Sequence, residues 1–185
     1  VYQKADTNIT TSVTVPVLWD KKTNTIVNNE SSEIIRMFNS SFNDLTKNYD
    51  DYYPEDLKSE IDHFNNKVYP AVNNGVYRTG FAKTQKAYDE AVRFLFDTLD
   101  ELDEVLSKNK YLIGDKITEA DLRLIPTLLR FDIVYVTHFK CNIRQIKDYK
   151  NLSRYTKELY DIPAIKETTN LDPVSYTHLT LPTKA

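Results

Sequence analysis

A chain of 185 residues, 41% hydrophobic and 28% charged, is long enough for one ordinary domain or one domain plus part of another, and has the balance of a soluble globular protein. Its formal net charge of −3 gives no basic footprint for DNA or RNA, and no apolar run approaches the roughly 18 residues of a membrane helix. The single cysteine, Cys141, excludes an internal disulfide framework and points to a reducing compartment, with the cytoplasm as the default.

Val1 is not an initiator, and residues 1–12 form a polar lead-in without a complete element, so upstream sequence is expected. Residues 13–19, VTVPVLW, are short, β-branched and bounded by polar clusters, which predicts a strand. Residues 21–24 predict a turn and residues 25–27 a second strand, making a hairpin. Pro16 interrupts the pattern because proline cannot donate to a ladder; by residue grammar alone it is a trans proline on an edge strand. A helix is expected from near Glu30, with Ile34, Ile35, Phe38 and Phe42 at helical spacing. The free N–H groups and positive dipole end of that helix can hold an anion. Ser31 adds a hydroxyl donor and Glu30 offers a carboxylate to an ammonium, so a zwitterionic amino acid head group would fit. Ordinary capping residues would look the same.

Residues 43–54 are rich in Asn, Asp and Tyr without a period and mark a boundary between domains. Leu57, Ile61, Phe64, Val68 and Val72 then predict an amphipathic helix that Pro70 should kink and Gly75 should stop, with residues 76–81 as a tight connection. Residues 84–109 predict a long helix with Ala91, Leu95, Leu99, Leu102 and Leu106 on one face and a solvated acidic face opposite. Gly114 and Asp115 supply a turn before Thr118, which is placed to cap the next helix. Asp121 reaches back to the Thr118 amide as a carboxylate version of the capping box, and Ile117 and Leu122 are spaced as a hydrophobic staple. Leu122, Ile125, Leu128, Leu129 and Ile133 recur through to Phe139 in a run too apolar for the surface, which predicts the central, buried helix. Shorter helices are expected over residues 151–160 and 162–168.

The order Tyr111-Leu112-Ile113-Gly114-Asp115, then Thr118-x-x-Asp121, then an apolar helix resembles the C-terminal domain of cytosolic glutathione transferases. The continuation from Arg130 to Tyr135, followed by His138-Phe139-Lys140-Cys141-Asn142, is similar to one branch, the glutathionyl-hydroquinone reductases of the Xi class, close to the Omega class. The resemblance covers essentially residues 1–172. It implies a mostly helical α+β chain: residues 1–43 as the C-terminal part of a thioredoxin-like domain, a β-hairpin plus helix, and residues 44–172 as the all-α domain. Residues 173–185, PVSYTHLTLPTKA, lose the helical pattern and resemble translated adaptor or vector sequence, so a non-native, disordered tail is expected there.

The same resemblance implies that Val15-Pro16 carries a cis peptide, with the Val15 backbone pairing with the cysteinyl part of glutathione. Glu30 and Ser31 would then hold the γ-glutamyl end. It implies a nucleophilic cysteine in a Cys-Pro-Trp motif at a helix N-terminus, where the thiolate attacks the sulfur of a glutathionyl-hydroquinone. No such motif occurs in this chain; it is expected upstream of Val1. Cys141 follows a buried apolar helix beside Lys140 and Arg144 and is read as a structural, inert cysteine. His63 and His138 have no Cys or His partner at metal spacing, so no metal is expected, and His178 belongs to the tail. Tyr77 matches a family tyrosine that faces an aromatic, quinol-type substrate, although a packing tyrosine would look alike. The resemblance further implies glutathione as co-substrate and a homodimeric full-length protein. Two alternatives stay open: a non-catalytic transferase-like binding or assembly module, and an Omega-type transferase with other substrates.

Overall fold

The computed structural model describes residues 1–171, and the tail expected at 173–185 lies outside the described residues. Contacts divide the chain into two compact units, Val1–Pro54 and everything from Glu55 onward, so the divide falls at the far end of the irregular 43–54 stretch.

The first unit holds a short helix α1 (Tyr2–Ala5), an antiparallel hairpin of β1 (Leu18–Asp20) and β2 (Thr25–Asn28), then α2 (Ser31–Ser40) and α3 (Asn43–Thr46). The turn is held by Asp20, whose Oδ1 accepts from the backbone N–H groups of Lys22 (2.7 Å) and Thr23 (3.3 Å), and Asn24 takes the left-handed φ of 55°. The expected strand over 13–19 is shorter than its pattern. Pairing starts only at Leu18, across an irregular register at Leu18/Trp19, and Val13 and Val15 stand exposed. Pro16 explains the loss, since it has no N–H to give a ladder. The lead-in is not elementless either. Tyr2 in α1 is buried and its hydroxyl donates to the Thr14 carbonyl at 3.1 Å, while Asn29 Nδ2 donates to the Tyr2 hydroxyl at 3.2 Å.

The second unit is helical. A 3₁₀ turn over Glu55–Leu57 leads into α4 (Lys58–Val68), which widens into a π turn over Tyr69–Asn73 around Pro70. There the N–H of Asn74 bonds to the carbonyl of Tyr69 at 2.8 Å. The kink expected at Pro70 is thus absorbed as a wider turn. Gly75 does not stop the helical path; it opens α5 (Gly75–Gly80), so the tight connection expected over 76–81 is a helix instead. The reason is packing. Gly75 is buried, and a Cβ there would lie 3.5 Å from the Pro70 carbonyl and 3.8 Å from Leu95, so the glycine serves close approach rather than a left-handed cap. The glycine with a left-handed φ is Gly114, in the turn before the capped helix.

Helix α6 (Gln85–Lys108) starts at Thr84, whose hydroxyl accepts from the N–H of Ala87, and buries Ala91, Leu95, Leu99, Leu102 and Leu106 as the spacing predicts. Its acidic face is not all solvated. Asp103 Oδ1 accepts from the N–H groups of Asn151 and Leu152, both at 2.8 Å, and so caps α9 (Lys150–Tyr160) from another helix. Helix α10 (Pro163–Thr168) follows with Pro163 in its first turn.

The central helix α7 (Glu119–Arg130) runs into a π turn (Phe131–Tyr135) and a short α8 (Val136–His138). Its buried stripe is Leu124, Ile125, Leu128, Phe131, Val134 and Tyr135, whereas Leu122 and Ile133 are 36% and 37% exposed. The expected stripe through Leu122 and Ile133 is therefore displaced. Asp121 turns fully inward and takes the next residue, Leu122, off the core face. Asp121 accepts from the Thr118 N–H at 2.8 Å, as the capping pattern predicts, but also from the Leu112 N–H at 3.0 Å and the Tyr155 hydroxyl at 2.8 Å. One carboxylate thus joins the turn before α7, the start of α7 and the middle of α9.

Candidate functional site

In the first unit the Val15–Pro16 peptide bond is cis, and Val15 presents its backbone from an exposed segment. Glu30 is the N-cap of α2. Its Oε1 accepts from the Ser32 N–H at 3.2 Å and the Ser32 hydroxyl at 3.1 Å, so the carboxylate serves its own helix. Ser31 is exposed at the first helical position, where the dipole favours an anion. Tyr2 supplies what sequence reasoning missed: bonded to Thr14 and Asn29, it ties the segment before Val15 to the segment before Glu30. A lone tyrosine in a polar lead-in gave no periodic signal for that role.

In the second unit Tyr77 lies on α5 at the edge of an aromatic cluster. Its ring meets those of Tyr135 (centroids 5.7 Å apart), Phe139 (5.3 Å) and Phe81 (6.4 Å), and it is 38% exposed. The Tyr77 hydroxyl lies 3.1 Å from that of Tyr135, which is 2% exposed. Burial, with the Tyr77 hydrogen bond adding to it, holds the Tyr135 phenol well above the ordinary tyrosine range, so Tyr135 stays neutral. The cluster offers a half-open aromatic wall with one accessible phenol, suited to a flat ring bearing oxygen substituents. Tyr135 ends the Arg130–Tyr135 stretch that carries the family resemblance, but no spacing singled it out or gave it a partner.

Cys141 is fully buried, with its thiol toward the carbonyls of Val76 (3.8 Å) and Phe139 (3.7 Å). Arg144 pairs with Asp100 at 2.9 Å and stacks on Tyr149, and Lys140 is exposed at a left-handed φ of 57°. Burial pushes the Cys141 thiol up to about 12. The native chain should therefore react with iodoacetamide at neutral pH on the order of a thousandfold more slowly than the urea-unfolded chain. Equal rates would contradict an inert, buried thiol. Among the described residues no three His, Cys, Asp or Glu side chains gather as a metal site, and no helix is long and apolar enough to cross a membrane.

Residues 85–158 match the glutathione S-transferase C-terminal domain family. The chain is 52% identical over 174 residues to glutathionyl-hydroquinone reductase YqjG of Escherichia coli (strain K12), covering 94% of this chain and 53% of that protein. Against the glutathione-bound structure of YqjG the TM-score is 0.93, over 96% of this chain and 57% of that one. Glutathionyl-hydroquinone reductase PcpF of Sphingobium chlorophenolicum is 54% identical over 171 residues, 92% of this chain and 55% of that protein. The crystal structure of glutathione transferase Xi 1 from Trametes versicolor superposes with a TM-score of 0.89 at 48% identity, and the match covers 98% of this chain and 68% of that chain. The chain belongs to the Xi-class glutathione transferases.

That membership agrees with the fold, a β-hairpin and helix of a thioredoxin-like domain followed by the all-α glutathione transferase domain. The Xi-class chain described here spans about half the length of the curated relatives it matches.

Proposed function

We propose that the full-length protein is a glutathione-dependent thiol reductase that converts glutathionyl-hydroquinones to hydroquinones. A cysteine thiolate, contributed by sequence before Val1, attacks the glutathione sulfur of the adduct. The bond from that sulfur to the ring carbon breaks, the carbon takes up a proton, and a protein–glutathione mixed disulfide remains. A second glutathione thiolate resolves the mixed disulfide, releasing oxidised glutathione and restoring the cysteine thiolate. The observation that carries this reading is the half-open aromatic cluster with the accessible Tyr77 phenol. The names of two relatives at 52% and 54% identity support the substrate. Cys141 supports the missing-nucleophile part, since a fully buried thiol pushed up to about 12 is unfit to attack.

In this reading Val15 and Pro16 hold the cysteinyl part of glutathione, Glu30 and Ser31 hold its γ-glutamyl end, and Tyr77 donates to an oxygen of the aromatic ring. Glu30 would exchange its Ser32 contacts for the ligand's ammonium. Ser31→Ala in the full-length protein should weaken glutathione binding roughly tenfold, the worth of a hydrogen bond to a charged group. An unchanged affinity by calorimetry would remove Ser31 from the site. The reading also makes the full-length protein a homodimer, on family resemblance, and cytoplasmic, where reduced glutathione is available. It fails if the purified full-length protein releases no hydroquinone from glutathionyl-hydroquinone in the presence of glutathione.

A further inference from the structure

The pair Tyr77 and Tyr135 is asymmetric in a way that decides which hydroxyl gives its proton to the other. Tyr135 is 2% exposed and hemmed by the rings of Tyr77, Phe131 and Phe139, none of which carries an acceptor except the Tyr77 oxygen. Its hydrogen-bond partner is that oxygen, 3.1 Å away. If Tyr77 donated, the buried Tyr135 proton would have no other acceptor among the described residues, a cost that native interiors avoid. If Tyr135 donates, its proton is satisfied and the Tyr77 proton is free on the exposed side of the cluster, where water or a ligand oxygen can take it. The second arrangement satisfies both groups.

We propose that Tyr135 is a positioning residue for the reaction: by donating to the Tyr77 oxygen it turns the Tyr77 hydroxyl outward as a donor to the oxygen of the aromatic substrate. The proposal rests on the reading of Tyr77 given above. It has a chemical consequence besides orientation. As Tyr77 gives hydrogen-bond character to the departing hydroquinone, charge gathers on its oxygen, and the Tyr135 hydroxyl is already aimed at that oxygen in a water-poor setting. Burial keeps the Tyr135 proton in place, so the donor is present across the neutral and alkaline range. Tyr135 therefore acts through Tyr77 and need not touch the substrate.

The first arm of the test needs no activity. With ¹³Cζ-labelled tyrosine in this chain, the hydroxyl isotope shift should show slow exchange at Tyr135 and fast exchange at Tyr77; a protected Tyr77 proton with a fast Tyr135 proton would overturn the donor assignment. The second arm uses the full-length protein in steady state. Tyr135→Phe keeps the ring and should lower kcat roughly tenfold, with KM for glutathione unchanged and the circular dichroism unaltered. Replacing Tyr135 with 3-fluorotyrosine, a stronger donor of nearly the same size, should raise kcat, a response that a purely structural ring would not give. Wild-type kcat in Tyr135→Phe, beside a Tyr77→Phe variant that is impaired, would overturn the role of Tyr135 and leave that of Tyr77 standing. An inactive wild-type protein would instead bring down the reductase reading and this proposal with it.

Discussion

Asp121→Ala is expected to cost roughly 3–5 kcal/mol of folding stability, a large share of the total for a domain of this kind. Asp121 is fully buried and accepts from the Leu112 N–H, the Thr118 N–H and hydroxyl, and the hydroxyl of Tyr155, itself fully buried. Alanine would leave these buried donors without the carboxylate they share. Tyr155→Phe, which removes one donor and leaves the others paired, should cost only about 1 kcal/mol. Urea unfolding followed by circular dichroism measures both. Comparable, small losses would show that the carboxylate does not anchor the domain. The same group carries a pH signature. Burial raises the Asp121 carboxyl from its ordinary range, against the pull of the donors from Leu112, Thr118 and Tyr155. A carboxyl raised on folding binds its proton more tightly in the folded chain. Its contribution is therefore fully present below the ordinary aspartate range and is lost as pH rises through the raised value. Relative to Asp121→Asn, which does not titrate, the wild-type chain should lose stability as pH climbs out of that range.

Gly80→Ala is expected to cost about 1–3 kcal/mol and to disturb the aromatic cluster, because small-to-large changes in a packed site force their neighbours to move. A Cβ at Gly80 would stand 2.8 Å from both Cβ and Cγ of Phe139, closer than real carbon contacts allow. The φ of Gly80 is not left-handed, so the penalty is spatial and not conformational. Phe139 is 6% exposed and cannot simply swing into water, and its ring meets Tyr77, Phe81 and Tyr135 within 5.3 to 5.5 Å. Displacing it should shift the Tyr77 ring as well. Near-ultraviolet circular dichroism and a urea midpoint test this together; an unchanged spectrum with unchanged stability would mean the site relaxes freely.

What the sequence made legible was local. Glu30 caps the helix that follows it, and Asp121 reaches Thr118 across three residues; such bonds lie within one turn and can be read from residue type and position. The leucine face of α6 was legible for the same reason. Tertiary substitutes for local rules were not. Asp103 caps a helix 48 residues away, which no local pattern announces. Gly75 looked like a helix stop because glycine usually is one there, yet it answers to Leu95 on a neighbouring helix. The apolar stripe expected through Leu122 and Ile133 is only partly right: Ile125 and Leu128 are buried, but Asp121 turns inward and Leu122 and Ile133 stand partly exposed. Of the proposed site residues, Val15, Pro16, Glu30, Ser31 and Tyr77 stand in motifs the sequence displays, while Tyr2, bonded to Thr14 and Asn29, and Tyr135, bonded to Tyr77, carried no pattern of their own.

The proposed reductase reading stands on a reactive cysteine other than Cys141, expected in sequence that precedes Val1 in the full-length protein. Intact mass and peptide mapping of the full-length protein, after one equivalent of glutathionyl-hydroquinone and no free glutathione, test it most directly. The account predicts one glutathione in disulfide linkage on a peptide preceding Val1, with Cys141 unmodified. A glutathione adduct on Cys141, or none at all, would contradict it.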